Sequence, residues 1–165
     1  MQSKLMGLIK DVVTTLIIVG IIAGGGYALT GTWPFMVAVQ SGSMEPNLHV
    51  GDVVFLVSPE KKEIITYVEG KLKDYKMFGD YGDVIVYRPN GDSSKTPIIH
   101  RAIMYVKKGD KIGNYVAEND GYITKGDHNL MIDQPFLSKP VKKDWIIGVA
   151  VFRIPYIGYF RLLFG

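Results

Sequence analysis

Amide hydrolysis by a serine needs a hydroxyl in a rigid, exposed position, a base to take its proton, a group to orient that base, and donors for the developing oxyanion. Ser41-Gly42-Ser43-Met44-Glu45-Pro46 supplies the hydroxyl. Gly42 lets backbone approach a substrate closely, while Pro46 stiffens the next turn and biases Glu45 toward an extended conformation. Ser43 is the best of the serines. Ser41, two residues earlier, shares its side if the segment is extended, and from there would donate to the oxyanion alongside the Ser43 backbone N–H. Without further motifs, Ser-Gly-Ser is an ordinary turn sequence.

The chain has three histidines. His49 lies in a polar turn and His128 follows an aspartate in another. His100 lies within an apolar strand-like stretch, after Pro97-Ile98-Ile99 and before Arg101. A strand holds a base more rigidly than a loop does. Imidazole ordinarily titrates near ~6.5, which suits a general base close to neutrality. A lysine base would need strong desolvation, and no lysine sits in an apolar run; Lys125 is the nearest competitor. Two carboxylates stand as candidates to orient the base. Asp127, in Gly-Asp, suits a turn cap. Asp133 follows Leu130-Met131-Ile132 and suits an inward position, where a buried carboxylate needs a partner such as imidazole.

These residues need a scaffold, and the chain supplies an anchor and a β-rich domain. Residues 12–29 carry no charge. As a helix at ~1.5 Å per residue they reach ~27 Å, and residues 5–9 extend them toward a full bilayer span. Gly24-Gly25-Gly26 weakens the last turn, and Thr32-Trp33-Pro34 marks an interfacial stop. A single uncleaved transmembrane helix is expected; a cleaved signal peptide and a buried helix of a soluble protein are the alternatives. Lys4 and Lys10 point the N-terminus to the cytoplasm, leaving the rest of the chain outside. The expected division is an anchor over 1–32 and an extracytoplasmic domain over 33–165, with a surface insertion at 58–80 and an apolar C-terminal segment at 154–165.

The domain reads as mainly β. Strand-like runs occur at 35–40, 53–57, 84–87, 98–106 and 145–152, separated by turn signals at Gly51-Asp52, Gly82-Asp83, Pro89-Asn90-Gly91-Asp92, Lys108-Gly109-Asp110 and Asn119-Asp120-Gly121. Short strands at this spacing suggest a barrel-like or sandwich fold. Ser58-Pro59 is a candidate helix start for a partly helical insertion rich in Lys and Glu. That insertion suits a solvated face or, alternatively, anionic headgroups. At 165 residues, 47% hydrophobic and 21% charged, the chain suits one globular domain plus an anchor. A net charge of +3 without clustering argues against nucleic acid. The absence of cysteine excludes thiol nucleophiles and thiolate metal sites. No metal or organic cofactor is expected, since no ligand cluster has suitable spacing.

Together these motifs resemble the type I signal peptidases. Ser41 to Pro46 is similar to their serine box, Gly82-Asp83-Val84-Ile85-Val86-Tyr87 to their central strand box, and Lys125-Gly126-Asp127-His128-Asn129 to Asp133 to their terminal Gly-Asp-Asn box. Ile99-His100-Arg101 falls where bacterial enzymes have Lys-Arg. Histidine there resembles the archaeal enzymes and the endoplasmic reticulum catalytic subunit. The resemblance implies a membrane-anchored serine endopeptidase that removes signal peptides from exported preproteins after small residues at −1 and −3. It implies Ser43 as nucleophile, His100 as base, Asp133 as orienting acid, and Asp127 as a supporting or alternative acid. Expected partners are preproteins, the lipid bilayer of the cell or endoplasmic reticulum membrane, and partner subunits or a secretion translocon. Two features depart from the family pattern: His128 stands where the family usually has Asn, and the insertion is long for a minimal member. The rival enzyme is a self-cleaving repressor-type peptidase, disfavoured by the anchor and by His100; the rival non-enzyme is a membrane-tethered binding domain.

Overall fold

Residues 2–156 are described by the computed structural model. Of the apolar segment expected over 154–165, residues 157–165 lie outside the described residues. Helix α1 (Gln2–Thr30) runs unbroken through Gly24-Gly25-Gly26. Gly26 serves a contact there, since a Cβ on it would meet the Phe35 ring at 2.6 Å. The span Lys4–Thr30 is apolar and long enough to cross a membrane, at about 40 Å for ~1.5 Å per residue. Its large apolar side chains, such as Leu8, Leu16 and Ile21, are exposed.

Beyond the helix, six antiparallel strands form a sheet in the order β1-β2-β10-β5-β6-β9. These are β1 (Met36–Ala38), β2 (Val53–Val57), β5 (Val84–Tyr87), β6 (Ile98–Val106), β9 (Gly121–Lys125) and β10 (Ile146–Ile154). Two small hairpins project from it: β3 (Lys76–Met77) with β4 (Asp80–Tyr81), and β7 (Lys111–Ile112) with β8 (Tyr115–Val116). Register shifts within the β2–β10, β5–β10 and β6–β9 ladders curl the sheet, because an extra residue in one strand bends it and raises its twist.

Central strand β5 is apolar at every position and buried at every position, as expected for a strand covered on both faces. Successive side chains point to opposite faces. Val84 and Val86 therefore join Met44, Leu48, Val54 and Leu56 in one core cluster. Ile85 and Tyr87 join Ala102, Val141 and Val149 in another.

The sequence places a helix start at Ser58-Pro59; the fold has a turn there instead. Ser58 Oγ accepts from Glu60 N at 3.2 Å, and Lys61 N and Lys62 N both donate to Ser58 O. The insertion's helix is α2 (Tyr67–Lys73), which begins at a capping box. Thr66 Oγ1 accepts from Glu69 N at 3.3 Å, while the Glu69 carboxylate accepts from Thr66 N at 2.9 Å. Strand β9, not anticipated as a strand, pairs along β6.

Candidate active site

Ser43 sits in a 3-10 turn, Gly42–Met44, that follows β1. Met44 and Leu48, both fully buried, root this turn in the core below β5. Glu45 is extended, at φ −64° and ψ 149°, as the residue before Pro46 should be. The Ser43 side is thus held from beneath while its hydroxyl remains partly exposed.

Sheet register decides which candidate bases share a face. Ile85 on β5 pairs with His100 on β6, and Tyr87 pairs with Ile98. Ala102 pairs with Thr124 on β9. Cross-strand partners point the same way and alternate residues agree, so Tyr87, His100 and Thr124 line one face. Arg101 and its partner Lys125 line the other. Lys125 Nζ donates to Asn129 O at 3.1 Å.

The loop after β9 brings Asp133 over the histidine face. Asp133 N donates to Thr124 O at 2.8 Å, and Gln134 Oε1 accepts from Thr124 N at 3.0 Å, so the loop is stitched to β9. The Asp133 carboxylate is buried and takes its bonds at one oxygen. Oδ2 accepts from His100 Nδ1 at 2.7 Å, from Thr124 Oγ1 at 2.7 Å and from Tyr87 Oη at 2.9 Å. Oδ1 is buried without a hydrogen-bond partner among the described residues. Burial pushes this carboxyl up, but the bonds and charge from His100 and the bonds from Thr124 and Tyr87 outweigh it and hold the group below the ordinary carboxylate range. Tyr87 is pushed far up by burial and by the adjacent Asp133 charge, and so stays a donor.

An ionised Asp133 accepts only, so Nδ1 of His100 carries the proton and Nε2 has a free lone pair. Ser43 Oγ lies 3.0 Å from that Nε2 and donates to it. Ser41 Oγ lies 3.3 Å from Ser43 Oγ. Four of the five predicted residues, Ser41, Ser43, His100 and Asp133, therefore meet in one hydrogen-bonded chain. Gly126 closes it from behind. A Cβ there would meet Ser43 O at 2.5 Å and His100 Nε2 at 2.9 Å, so only glycine fits.

Asp127 occupies a different network. Its two oxygens accept from Arg101 Nε at 2.8 Å and Nη2 at 2.6 Å, and Asn47 Nδ2 donates to it at 2.8 Å. Arg101, buried, also donates through Nη1 to the carbonyls of Met77 at 2.9 Å and Gly82 at 2.8 Å. His128 contributes its backbone N–H to Ser43 O at 2.9 Å. His49 stacks near Tyr156, beside Asp52. Sequence reasoning missed Tyr87 and Thr124; a hydroxyl at the end of an otherwise aliphatic central strand was the signal available for Tyr87.

Tyr87→Phe keeps the volume and removes one donor to Asp133. A carboxyl depressed in the fold contributes stability that is present above its unfolded pKa and lost as pH falls through its folded value. Removing the donor raises that folded value toward the ordinary carboxylate range. The acid-unfolding midpoint of Tyr87→Phe is therefore expected to move to higher pH, read by circular dichroism across pH 2 to 6. An unchanged midpoint would rule out this coupling.

No protein-family model matches the chain. It is similar to the signal peptidase complex catalytic subunit of Schizophyllum commune, 31% identical over 147 residues that cover 79% of this chain and 65% of that one. The same subunit of Colletotrichum graminicola is 33% identical over 132 residues, covering 78% and 62%. That of Lodderomyces elongisporus is 26% identical over 166 residues, covering 94% and 84%. The chain spans 62% to 65% of the length of several of the curated relatives it matches.

Proposed function

Because the chain is a homologue of signal peptidase complex catalytic subunits, we propose that it is a membrane-anchored serine endopeptidase that removes signal peptides from exported preproteins. The observation that carries this is the chain Ser43 Oγ–His100 Nε2–His100 Nδ1–Asp133 Oδ2, at 3.0 Å and 2.7 Å. In this reaction His100 takes the Ser43 proton as Oγ attacks the scissile carbonyl. Asp133 keeps the imidazole in the reactive tautomer and stabilises the imidazolium that forms. Ser41 Oγ and the Ser43 N–H hold the oxyanion. His100 then protonates the leaving amine, and water, deprotonated by the same imidazole, releases the acyl group from Ser43. The paired Asp127 is assigned to holding the site's frame through Arg101 and Asn47.

Residues 1–32 act as a single-pass anchor with its N-terminus in the cytoplasm, and the domain from residue 33 onward works on the extracytoplasmic side of the cell or endoplasmic reticulum membrane. Preproteins are the substrates, and further subunits of a processing complex are expected partners. Small side chains are preferred at substrate positions −1 and −3, with the extended segment after the signal helix bound along a sheet edge.

The test is incubation of the full chain in lipid with a preprotein bearing Ala at −1 and −3, followed by mass determination of the new N-terminus. One cut after the −1 Ala is expected, with a ~100-fold loss when −1 becomes Phe, since overpacking a small pocket costs up to about 3 kcal/mol. Indifference to the −1 residue would remove the specificity, and no cut at all would favour a binding domain.

A further inference from the structure

The last four carbonyls of any α-helix have no partner inside it. In α1 each has one. Tyr27 O accepts from Gly31 N at 2.7 Å, within a cap where Gly31 takes φ +71°. Ala28 O and Leu29 O both accept from Lys61 Nζ, at 2.7 Å and 3.1 Å. Thr30 O accepts from Ser58 N at 2.8 Å. Three of the four are therefore served by one turn of the domain, 58–62. The ammonium also sits where the helix dipole is negative, and its stem crosses Gly31, whose missing Cβ would meet Lys61 Cε at 2.9 Å.

The same turn reaches the other way into the sheet. Lys62, next in sequence, donates to both oxygens of buried Asp83 at 2.9 Å and 2.8 Å. Tyr75 Oη and Ile65 N donate to that carboxylate as well. Asp83 directly precedes β5, and its carbonyl accepts from Ala102 N, two residues past His100 on β6. Two adjacent lysines thus tie the helix end to the strand pair that carries the base. Thr32 Oγ1, donating to Ile147 O on β10, and the Phe35 ring against Gly26 add two more ties.

We infer that Lys61 is a positioning residue that locks α1 and the domain into one body, fixing the height of Ser43 above the bilayer and so selecting which bond of a signal peptide is cut. The cut-site half rests on the peptidase proposed above; the joint itself does not. A freely jointed domain would sample several heights and meet several bonds in an extended substrate, each residue of which advances the chain by ~3.3 Å.

The chain has no cysteine, and Leu8 on α1 and Tyr105 on β6 are 61% and 49% exposed, so Leu8→Cys and Tyr105→Cys introduce the two sites that carry spin labels.

In lipid nanodiscs the doubly labelled full chain is expected to give one narrow distance distribution. Lys61→Met should widen it at least twofold, and Lys61→Arg, which keeps the charge and donors, should restore it. The same variants, unlabelled, are then given a preprotein with two small-x-small sites about four residues apart. The parent is expected to cut one site almost exclusively, Lys61→Met to change the product ratio at least tenfold, and Lys61→Arg to return it. A broad distribution in the parent overturns the joint, and a narrow one in Lys61→Met overturns the part given to Lys61. A widened joint with an unchanged product ratio overturns its role in choosing the bond. A narrow parent that cuts no preprotein overturns the peptidase proposal and the cut-site half with it, while the distances still decide the joint.

Discussion

Ser43→Ala is expected to lower kcat for preprotein cleavage by roughly 10⁴- to 10⁶-fold with KM little changed, because the hydroxyl acts in the chemical step and not in holding the substrate. His100→Ala should cost about as much, and the double variant hardly more than either alone. Residues that work as one unit fail together: without a base Ser43 is a poor nucleophile, and without Ser43 the base has nothing to activate. The 3.0 Å contact between Ser43 Oγ and His100 Nε2 makes this coupling direct. Single-turnover cleavage, with circular dichroism to verify folding, measures it. If His100→Ala kept activity within tenfold of the parent, the base assignment would be lost. Independent, multiplying losses in the double variant would argue against a shared proton transfer.

Arg101→Met is expected to destabilise the fold by about 3–5 kcal/mol, the usual cost of removing one partner of a buried ion pair. The guanidinium is 1% exposed and its Asp127 partner 6% exposed, so neither charge has water to fall back on. The loss goes beyond the pair, because Arg101 Nη1 also binds the carbonyls of Met77 and Gly82. Lysine does not replace it: a single ammonium cannot span both Asp127 oxygens and these carbonyls in one geometry. Urea unfolding of the detergent-solubilised full chain, followed by far-ultraviolet circular dichroism, gives the value. A loss below about 1 kcal/mol would mean that water reaches the pair and screens it.

Much of the site was legible in the residues themselves. The strands 53–57, 84–87 and 98–106 were expected from apolar runs between Gly-Asp and Pro-Asn-Gly-Asp turns, and they are β2, β5 and β6. Local chemistry dictates such elements: apolar runs require burial, and the turn residues stop them. The same applies to Ser43, singled out by Gly42 and Pro46 beside it. The helix expected at Ser58-Pro59 is a different case. Ser-Pro suits a helix start and a turn equally, and the outcome here is a turn whose Lys61 reaches the end of α1, thirty-odd residues earlier in the chain. Strand β9 escaped notice because Gly121, Thr124 and Lys125 give no apolar alternation; its place is set by pairing with β6.

By itself the sequence determined the apolar helix, the β-rich domain, and a short list of residues with the right chemistry. Only the tertiary structure decided between Asp127 and Asp133 as the neighbour of His100. The reason is parity. Adjacent residues on a strand face opposite sides, so register alone sends His100 to the face of Tyr87 and Thr124 and sends Arg101, with Lys125, to the other. Asp133 then meets the imidazole, and Asp127 meets the guanidinium.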